Sequence, residues 1–230
     1  MYDYKVMTRR LCRRKKTLFA AACCRQIWDL LDDKQRAAVS VIESGTERML
    51  RNKRPRMTAA INQVWEEVKA NHDIVVAYYD KTYGKKTEYH VSVAVRQAFY
   101  SLKHVAGVTE TAENCTLAVW QADYDKRYDV SSRPKVKHRM YMRHAEIRDD
   151  LLDLSKRKPF GPDVCNDPRG SIAAMAREIY DTGRFSELPI LGDAISDASP
   201  HLTEVIDHLH RKEHYRGCWA LDWILGHTKN

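Results

Sequence analysis

The sequence predicts an all-α fold, a multi-helix bundle that ends in a C-terminal subdomain of short helices. Glycine and proline are sparse, at 9 and 7 of 230 residues, whereas sandwiches and barrels need a turn about every 8–12 residues. Apolar side chains recur three and four positions apart along most of the chain, which is the spacing of one helix face. The 43% hydrophobic and 30% charged content is typical of a chain that buries a core.

The first sixty residues predict two helices and the start of a third. Apolar side chains repeat every four residues and predict a helix over residues 17–31: Phe19, Cys23, Ile27 and Leu31. The pair Asp32-Asp33 predicts a break that caps a second helix, which Gly45 weakens in its middle. Residues 51–56 predict a linker, and Thr58 is expected to cap the next helix.

The middle of the chain predicts three long helices and one ambiguous segment. Residues 74–83 are rich in Val and Tyr and fit a helix or a strand equally well. Periodic segments predict helices over residues 88–105, 109–124 and 135–154, the last with one apolar face and one Lys/Arg face. We expect the middle helices to expose an apolar patch between residues 74 and 125.

Short helices are predicted beyond a Pro/Gly-rich boundary at residues 158–170. Ser171 is expected to cap the first of them, and Gly183 to end it. A later helix is expected to have Pro200 at its first position, and residues 217–226 form the last helix. The predicted organisation is a basic N-terminal pair of helices (1–57), a variable helical middle (58–158) and a C-terminal subdomain (159–230) packed on the N-terminal helices.

Positive charge is concentrated at the N-terminus. The chain has a net charge of +8, and residues 1–57 hold 15 Lys and Arg against 6 Asp and Glu, a net +9. Clusters of this kind meet phosphates; the alternative interpretation is a solvated helix face with a basic linker. The candidate nucleic-acid-binding residues are Arg9, Arg10, Arg13, Arg14, Lys15, Lys16, Arg51, Lys53, Arg54, Arg56, Lys137, Arg139 and Arg143.

A C-terminal polar cluster contains the candidate metal ligands. Its members are His201, His208, His210, His214, Cys218, Asp222 and His227. His214 and Cys218 are four positions apart, a spacing that suits two metal ligands, or a thiolate and its base, on a continuous helix. Gly217 is expected to start the helix, however, which leaves His214 in the preceding loop.

Cys23 and Cys24 complete a Zn²⁺ site with His214 and Cys218 if the first helix packs there. In the alternative interpretation Cys218 is a small core residue and the histidines are solvated. The six scattered cysteines are otherwise expected to be reduced thiols, as in a cytoplasmic protein.

The last helix is predicted to be buried because apolar side chains surround it. Asp222 among them needs a partner, for which Arg216 or a nearby backbone amide is the candidate. We expect structural roles for Arg216, Asp222, Trp219, Trp223 and, in the first helix, Trp28. Acidic pairs such as Asp149-Asp150 are interpreted as solvated helix faces.

Two segments resemble the opening and closing blocks of a paralogous family of uncharacterised planctomycete proteins of the Gemmata type. The first is Leu18-Phe-Ala-Ala-Ala-Cys-Cys-Arg-Gln-Ile-Trp28, and the second runs from residue 159 to His214-Tyr-Arg-Gly-Cys-Trp-Ala-Leu-Asp-Trp-Ile-Leu-Gly226. The resemblance implies a planctomycete-like bacterial origin, a helical shell formed by both ends and a variable middle. It implies no activity.

The expected function is that of a non-catalytic helical adaptor that binds a protein partner in a bacterial complex. The alternatives are a nucleic-acid-binding accessory factor and a Cys/His metal-supported or thiol enzyme. The sequence contains no phosphate-binding glycine loop, nucleophile elbow, His-Glu-x-x-His or Cys-x-x-Cys, so catalysis is not the leading expectation. No apolar stretch reaches the roughly 18 residues of a membrane span, and the expected location is the cytoplasm.

Overall fold

The computed structural model describes residues 3–51, 59–82, 86–101, 107–127, 130–152, 159–161, 164–167 and 170–227. Within these ranges the chain forms eleven α-helices and no β-strand, which confirms the all-α prediction. The chain divides into two compact units, residues 1–148 and 149–230. Among the described residues, no helix combines the length and the apolar character needed to cross a bilayer.

Seven of these helices begin in the first unit. They are α1 (Tyr4–Thr8), α2 (Arg13–Arg25), α3 (Asp33–Arg51), α4 (Ala59–Thr82), α5 (Lys86–Tyr100), α6 (Val108–Arg127) and α7 (Arg133–Leu151). The predicted N-terminal segment and the predicted middle as far as Arg148 therefore belong to one compact unit, whereas residues 149–158 belong to the second.

Helix α2 is buried on all sides from Thr17 to Cys24 and packs against α3, α5 and α6. Every side chain from Thr17 to Cys24 is at most 3% exposed. The helix begins and ends earlier than predicted, since it ends at Arg25 and a 3₁₀ turn, Trp28–Leu30, follows. The apolar spacing continues through this turn, so Ile27 and Leu31 are still buried.

Helix α3 begins with two reciprocal side-chain bonds. The backbone N–H of Gln35 donates to Asp32 Oδ1 at 2.8 Å, and the N–H of Asp32 donates to Gln35 Oε1 at 3.0 Å. This capping box satisfies two N–H groups that the first turn leaves without helical partners. The break predicted at Asp32-Asp33 is therefore present, and the helix continues through Gly45.

Helix α4 resolves the ambiguous segment as helical. It is one helix of 24 residues that includes residues 74–82 and packs against α5. The β-branched residues there favour a strand only weakly, and tertiary packing overrides such preferences. The predicted cap at Thr58 lies outside the described residues.

The described part of the second unit contains α8 (Ser171–Thr182), α9 (Leu188–Ala198), α10 (Thr203–Leu209) and α11 (Trp219–Ile224). Gly183 ends α8 with a positive φ of 72°, as predicted. Ser171 is the first residue of α8 and not its cap, since Gly170 is at the N-cap position. The carboxylate of Asp167 accepts the N–H groups of Ser171 and Ile172.

The prediction that Pro200 opens a helix is wrong, because α10 begins at Thr203. The hydroxyl of Ser199, just before Pro200, does not cap a helix. It accepts the N–H of Asn166 at 3.0 Å. A proline does occupy the first turn of α9, where Pro189 lacks an N–H that the helix does not need there.

The core of the second unit is formed by side chains from α8, α9, α10 and α11. Its fully buried members include Ile179, Leu188, Leu191, Ile195, Leu209 and Leu221. Every residue of α11 is at most 7% exposed, including Asp222 at 1%, so the last helix is buried all round, as predicted.

Candidate functional site

The basic residues at the N-terminus differ in exposure. Arg9-Arg10 and Arg13 are exposed around the turn between α1 and α2, and Lys15-Lys16 are half-buried. Arg14 is only 3% exposed. Its side chain therefore belongs to the core and is not available to contact a phosphate. Lys53, Arg54, Arg56 and the side chain of Arg51 lie outside the described part of the chain.

Helix α7 carries a second basic stretch. From Arg133 to Ala145 it has five Lys or Arg and no acidic residue. Arg139 and Arg143 are exposed, whereas Lys137 is half-buried. At about 100° per residue, Lys137 and Arg139 point to nearly opposite sides of the helix, so the candidate cations on α7 do not share one face.

A buried chain of hydrogen bonds joins α1, α6 and α7. The Thr116 hydroxyl donates to the carbonyl of Ala112 at 2.9 Å, so its oxygen accepts the Tyr4 hydroxyl at 3.2 Å. The Tyr4 oxygen in turn accepts from His144 Nδ1 at 3.1 Å. Burial raises the pKa of Tyr4 to about 12 and lowers that of His144 to about 4. Both groups are therefore uncharged at neutral pH, and the chain of bonds fixes α1 against α7.

Four side chains that can ligate a metal converge in the second unit. They are Asp150 near the end of α7, His208 in α10, His214 in the following loop and Cys218 just before α11. One ligand atom from each lies within 4.8 Å of the ligand atoms of the other three. The side chains of the three Asp and His residues are at most 4% exposed, and Cys218 is fully buried. These four residues are named the Asp150 cluster.

Asp150 accepts three hydrogen bonds within this cluster and its loop. Its Oδ1 accepts from His208 Nε2 at 3.1 Å and from His214 Nδ1 at 2.7 Å. Its Oδ2 accepts the backbone N–H of Tyr215 at 2.8 Å. Burial alone would raise the pKa of Asp150, but the hydrogen bonds from the two histidines outweigh it and hold that pKa below its usual range. The carboxylate is therefore ionised at neutral pH.

The position of the proton on His208 follows from its neighbour Trp219. An indole N–H can only donate, and Trp219 Nε1 lies 3.0 Å from His208 Nδ1. His208 Nδ1 therefore accepts, and the proton of the neutral ring is on Nε2, which faces Asp150 Oδ1 and lies 3.2 Å from Cys218 Sγ. Burial lowers the pKa of His208 despite the hydrogen bond to Asp150, which is consistent with a neutral ring.

Two of the four predicted metal ligands belong to this cluster. His214 lies in the loop before α11, as the position of Gly217 predicts, and Gly217 has a φ of 91° there. Cys23 and Cys24 lie on α2 in the first unit and are fully buried, and the thiol of Cys24 interacts with that of Cys115. Their share in a metal site stays a prediction.

From sequence, Asp150 is interpreted as part of a solvated acidic pair, and His208 is named in the C-terminal polar cluster but not among the four predicted ligands. Asp149 is exposed, as expected of a solvated acidic pair, but Asp150 is only 3% exposed. The available signal is its register, because Asp150 follows buried Ile147 by three positions and directly precedes buried Leu151. The pairing with residues far along the chain leaves no trace in local sequence.

The described contacts of Arg216 are with two aromatic rings, and one described contact of Asp222 is with His227; the backbone amide expected as a partner of Asp222 stays a prediction. The Arg216 guanidinium lies 5.0 Å from the ring centre of Tyr180 and 5.7 Å from that of Phe185. Asp222 Oδ1 lies 3.5 Å from His227 Nδ1. Arg216 therefore makes cation–π contacts inside the second unit.

The three tryptophans with predicted structural roles occupy different environments. Trp219 and Trp223 are at most 7% exposed, and Trp223 meets Phe160 edge to face at 5.2 Å. Trp28 is half-buried in the first unit, and the guanidinium of Arg25 lies 4.1 Å from its ring centre. Arg25 also forms a 2.8 Å ion pair with Glu43 of α3.

The predicted apolar patch between residues 74 and 125 corresponds to few exposed side chains in the described part of that range. Ile74 is 69% exposed and Tyr100 is 36% exposed. Val91, Val95 and Phe99 of α5 are at most 1% exposed, so they belong to the core.

Comparison with protein-family models, with curated proteins and with solved structures gave no match for this chain.

Proposed function

We propose that the protein is a non-catalytic helical interaction protein whose first unit binds nucleic acid. The observation that supports this proposal is the presence, in one compact unit, of two basic stretches free of acidic residues: 9–16 and 133–145. Exposed cations in both stretches can contact backbone phosphates. Such contacts supply most of the affinity of non-specific nucleic-acid binding.

The contact between α1 and α7 determines how the two basic stretches lie in the first unit. Tyr4 of α1 packs against the ring of Tyr141, with ring centres 5.5 Å apart, and is hydrogen-bonded to His144. Arg9 follows Tyr4 by five residues, which is about 8 Å at the helical rise. Arg139 and Arg143 each lie two positions from Tyr141, which is about 200° around the helix. These two arginines therefore lie on the side of α7 away from the contact with Tyr4, and each basic stretch meets phosphates on its own.

The Asp150 cluster lends little support to the alternative of a thiol enzyme. Cys218 is fully buried, and the side chains of His208, Asp150 and His214 are at most 4% exposed. A nucleophilic thiolate needs a substrate within reach, and burial of this degree keeps a substrate away from the sulfur.

A salt titration tests the proposal. Binding of the full chain to fluorescent duplex DNA, single-stranded DNA and RNA is measured by anisotropy from low to moderate salt. We expect log K to fall linearly with log salt, with a slope of about −0.9 for each duplex phosphate contacted. The double variant Arg10→Ala/Arg139→Ala should weaken binding to all sequences alike and make the slope shallower by about 2.

The matched control is Lys34→Ala/Lys69→Ala, which removes two exposed cations of the same unit outside the basic stretches. This control should leave the salt slope unchanged. Absence of binding to all three probes at low salt would refute the proposal, because phosphate-driven affinity is strongest there. If both double variants lost the same amount of affinity, the assignment of binding to the two basic stretches would be refuted.

A further inference from the structure

We propose that the Asp150 cluster binds one divalent transition-metal ion of the Zn²⁺ class, with one ligand each from Asp150, His208, His214 and Cys218. One carboxylate, two imidazoles and one thiolate form a donor set that Zn²⁺ accepts in four-coordinate sites. The four side chains are buried, which is typical of structural sites, whereas catalytic sites keep an open position. The site lies in the second unit and does not depend on nucleic-acid binding by the first.

The spacing of the ligand atoms is close to that of a tetrahedral site. In a tetrahedral Zn²⁺ site each ligand atom lies about 2.0–2.3 Å from the metal. Neighbouring ligand atoms are then roughly 3.3–3.8 Å from each other. The cluster has 2.7 Å and 3.1 Å between Asp150 Oδ1 and the two histidine nitrogens, and 3.2 Å between His208 Nε2 and Cys218 Sγ. An outward shift of about 0.5 Å at each contact makes room for the ion. Two of the ligands lie in or beside the 210–218 loop, where such a shift is easiest.

Metal binding rearranges the protons of the cluster. Cys218 Sγ releases its proton to solvent as the thiolate binds, and His208 moves its proton from Nε2 to Nδ1. His214 moves its proton from Nδ1 to Nε2, an atom that is buried and makes no hydrogen bond in this structure, so no existing bond is lost there. One proton leaves the cluster for each ion bound.

Trp219 opposes this rearrangement. Once His208 Nδ1 carries a proton, it faces the indole N–H of Trp219 across 3.0 Å, and two donors then meet without an acceptor. Trp219 therefore holds the metal affinity below the value that the four ligands alone would give. This opposition connects the metal site to a residue that is not a ligand.

Titration of the tag-free full chain with Co²⁺ and then Zn²⁺ tests the site. We expect one Co²⁺ per chain, with the visible bands of four-coordinate cobalt and a near-ultraviolet thiolate-to-cobalt band. Both signals should disappear when Zn²⁺ is added. Folded protein that binds neither ion stoichiometrically overturns the proposal.

Two variants locate the ligands. Cys218→Ser should lose the thiolate-to-cobalt band, whereas Cys165→Ser, which removes another buried thiol of the same unit, should keep it. His214→Gln should weaken Co²⁺ binding while circular dichroism shows a helical fold. A thiolate band that persists in Cys218→Ser, or full Co²⁺ affinity in His214→Gln, overturns the assignment.

Trp219→Phe distinguishes coordination by His208 from a merely structural hydrogen bond. Removal of the indole N–H frees His208 Nδ1 to carry the proton, so Zn²⁺ should bind more tightly by roughly tenfold, the size typical of changes around ligating histidines. A structural role alone predicts equal or weaker binding, and that result would remove His208 from the ligand set.

Discussion

At the scale of single residues, buried hydrogen-bonding partners decide which ring nitrogen carries the proton in two histidines. Trp219 can only donate, so it fixes the proton of His208 on the nitrogen that faces Asp150. In the first unit, the hydroxyl chain through Thr116 and Tyr4 places the His144 proton on Nδ1. These assignments follow from neighbours that are distant in sequence.

The free energy of unfolding is expected to fall as the pH drops from 6.5 toward 4. Burial lowers the pKa of His144 from 6.5 to about 4, so between these values the unfolded chain binds a proton that the folded chain does not. The stabilisation is fully present above the unfolded pKa and is lost as the pH falls through the folded one. From about pH 7.5 to about pH 5 the loss at this group is about 2 kcal/mol.

Urea unfolding at both pH values measures this effect. His144→Gln keeps a polar side chain that does not titrate, so it should lose about 2 kcal/mol less on acidification than the wild type. His138→Gln, an exposed histidine on the same helix, should behave as the wild type does. If the wild type and His144→Gln lost the same free energy of unfolding on acidification, His144 would not be the source of the pH dependence.

At the scale of elements, caps and turns set where the helices begin and end. The Asp32–Gln35 capping box and Gly183 are visible in the sequence, because each acts on backbone groups only a few positions away. The prediction of a helix start at Pro200 was wrong because a Ser-Pro pair occurs in turns as well as at helix starts. The choice between the two depends on what Ser199 contacts, which is Asn166.

Removal of the α3 cap should cost about 1 kcal/mol of stability. Asp32→Ala leaves the N–H of Gln35 without its side-chain acceptor and should lower the urea midpoint. The control is Asp29→Ala, which removes an exposed carboxylate from the preceding 3₁₀ turn and should change the midpoint little. Equal midpoints for the wild type and Asp32→Ala would show that the cap contributes no measurable stability.

At the scale of the whole molecule, the chain has two compact units, and the second has its own core. Leu191→Ala removes a fully buried side chain of α9 and should destabilise the second unit by about 2–5 kcal/mol. Hydrogen exchange followed by mass spectrometry should show faster exchange in α8–α11 than in α5 and α6.

Ile190→Ala is the matched control for this experiment, because Ile190 is adjacent on α9 and 57% exposed. It should leave exchange in both units near the wild-type rates. If Leu191→Ala accelerated exchange equally in both units, they would unfold as a single cooperative body and not as two.

The sequence by itself determined the all-α class, most of the helices and several of their ends, because periodicity and capping act over three to five residues. It also placed the excess positive charge at the N-terminus. It could not show which cations are exposed, since Arg14 is buried by packing and Arg13 beside it is not.

Only the tertiary structure decided the Asp150 cluster. Asp150 and His214 are 64 residues apart and 2.7 Å from each other, and local spacing carries no information about such a contact. The C-terminal residues His214 and Cys218 were visible as candidate ligands from the sequence. Their partners were not, because the fold of the second unit, and not the order of the chain, brings Asp150 and His208 to them.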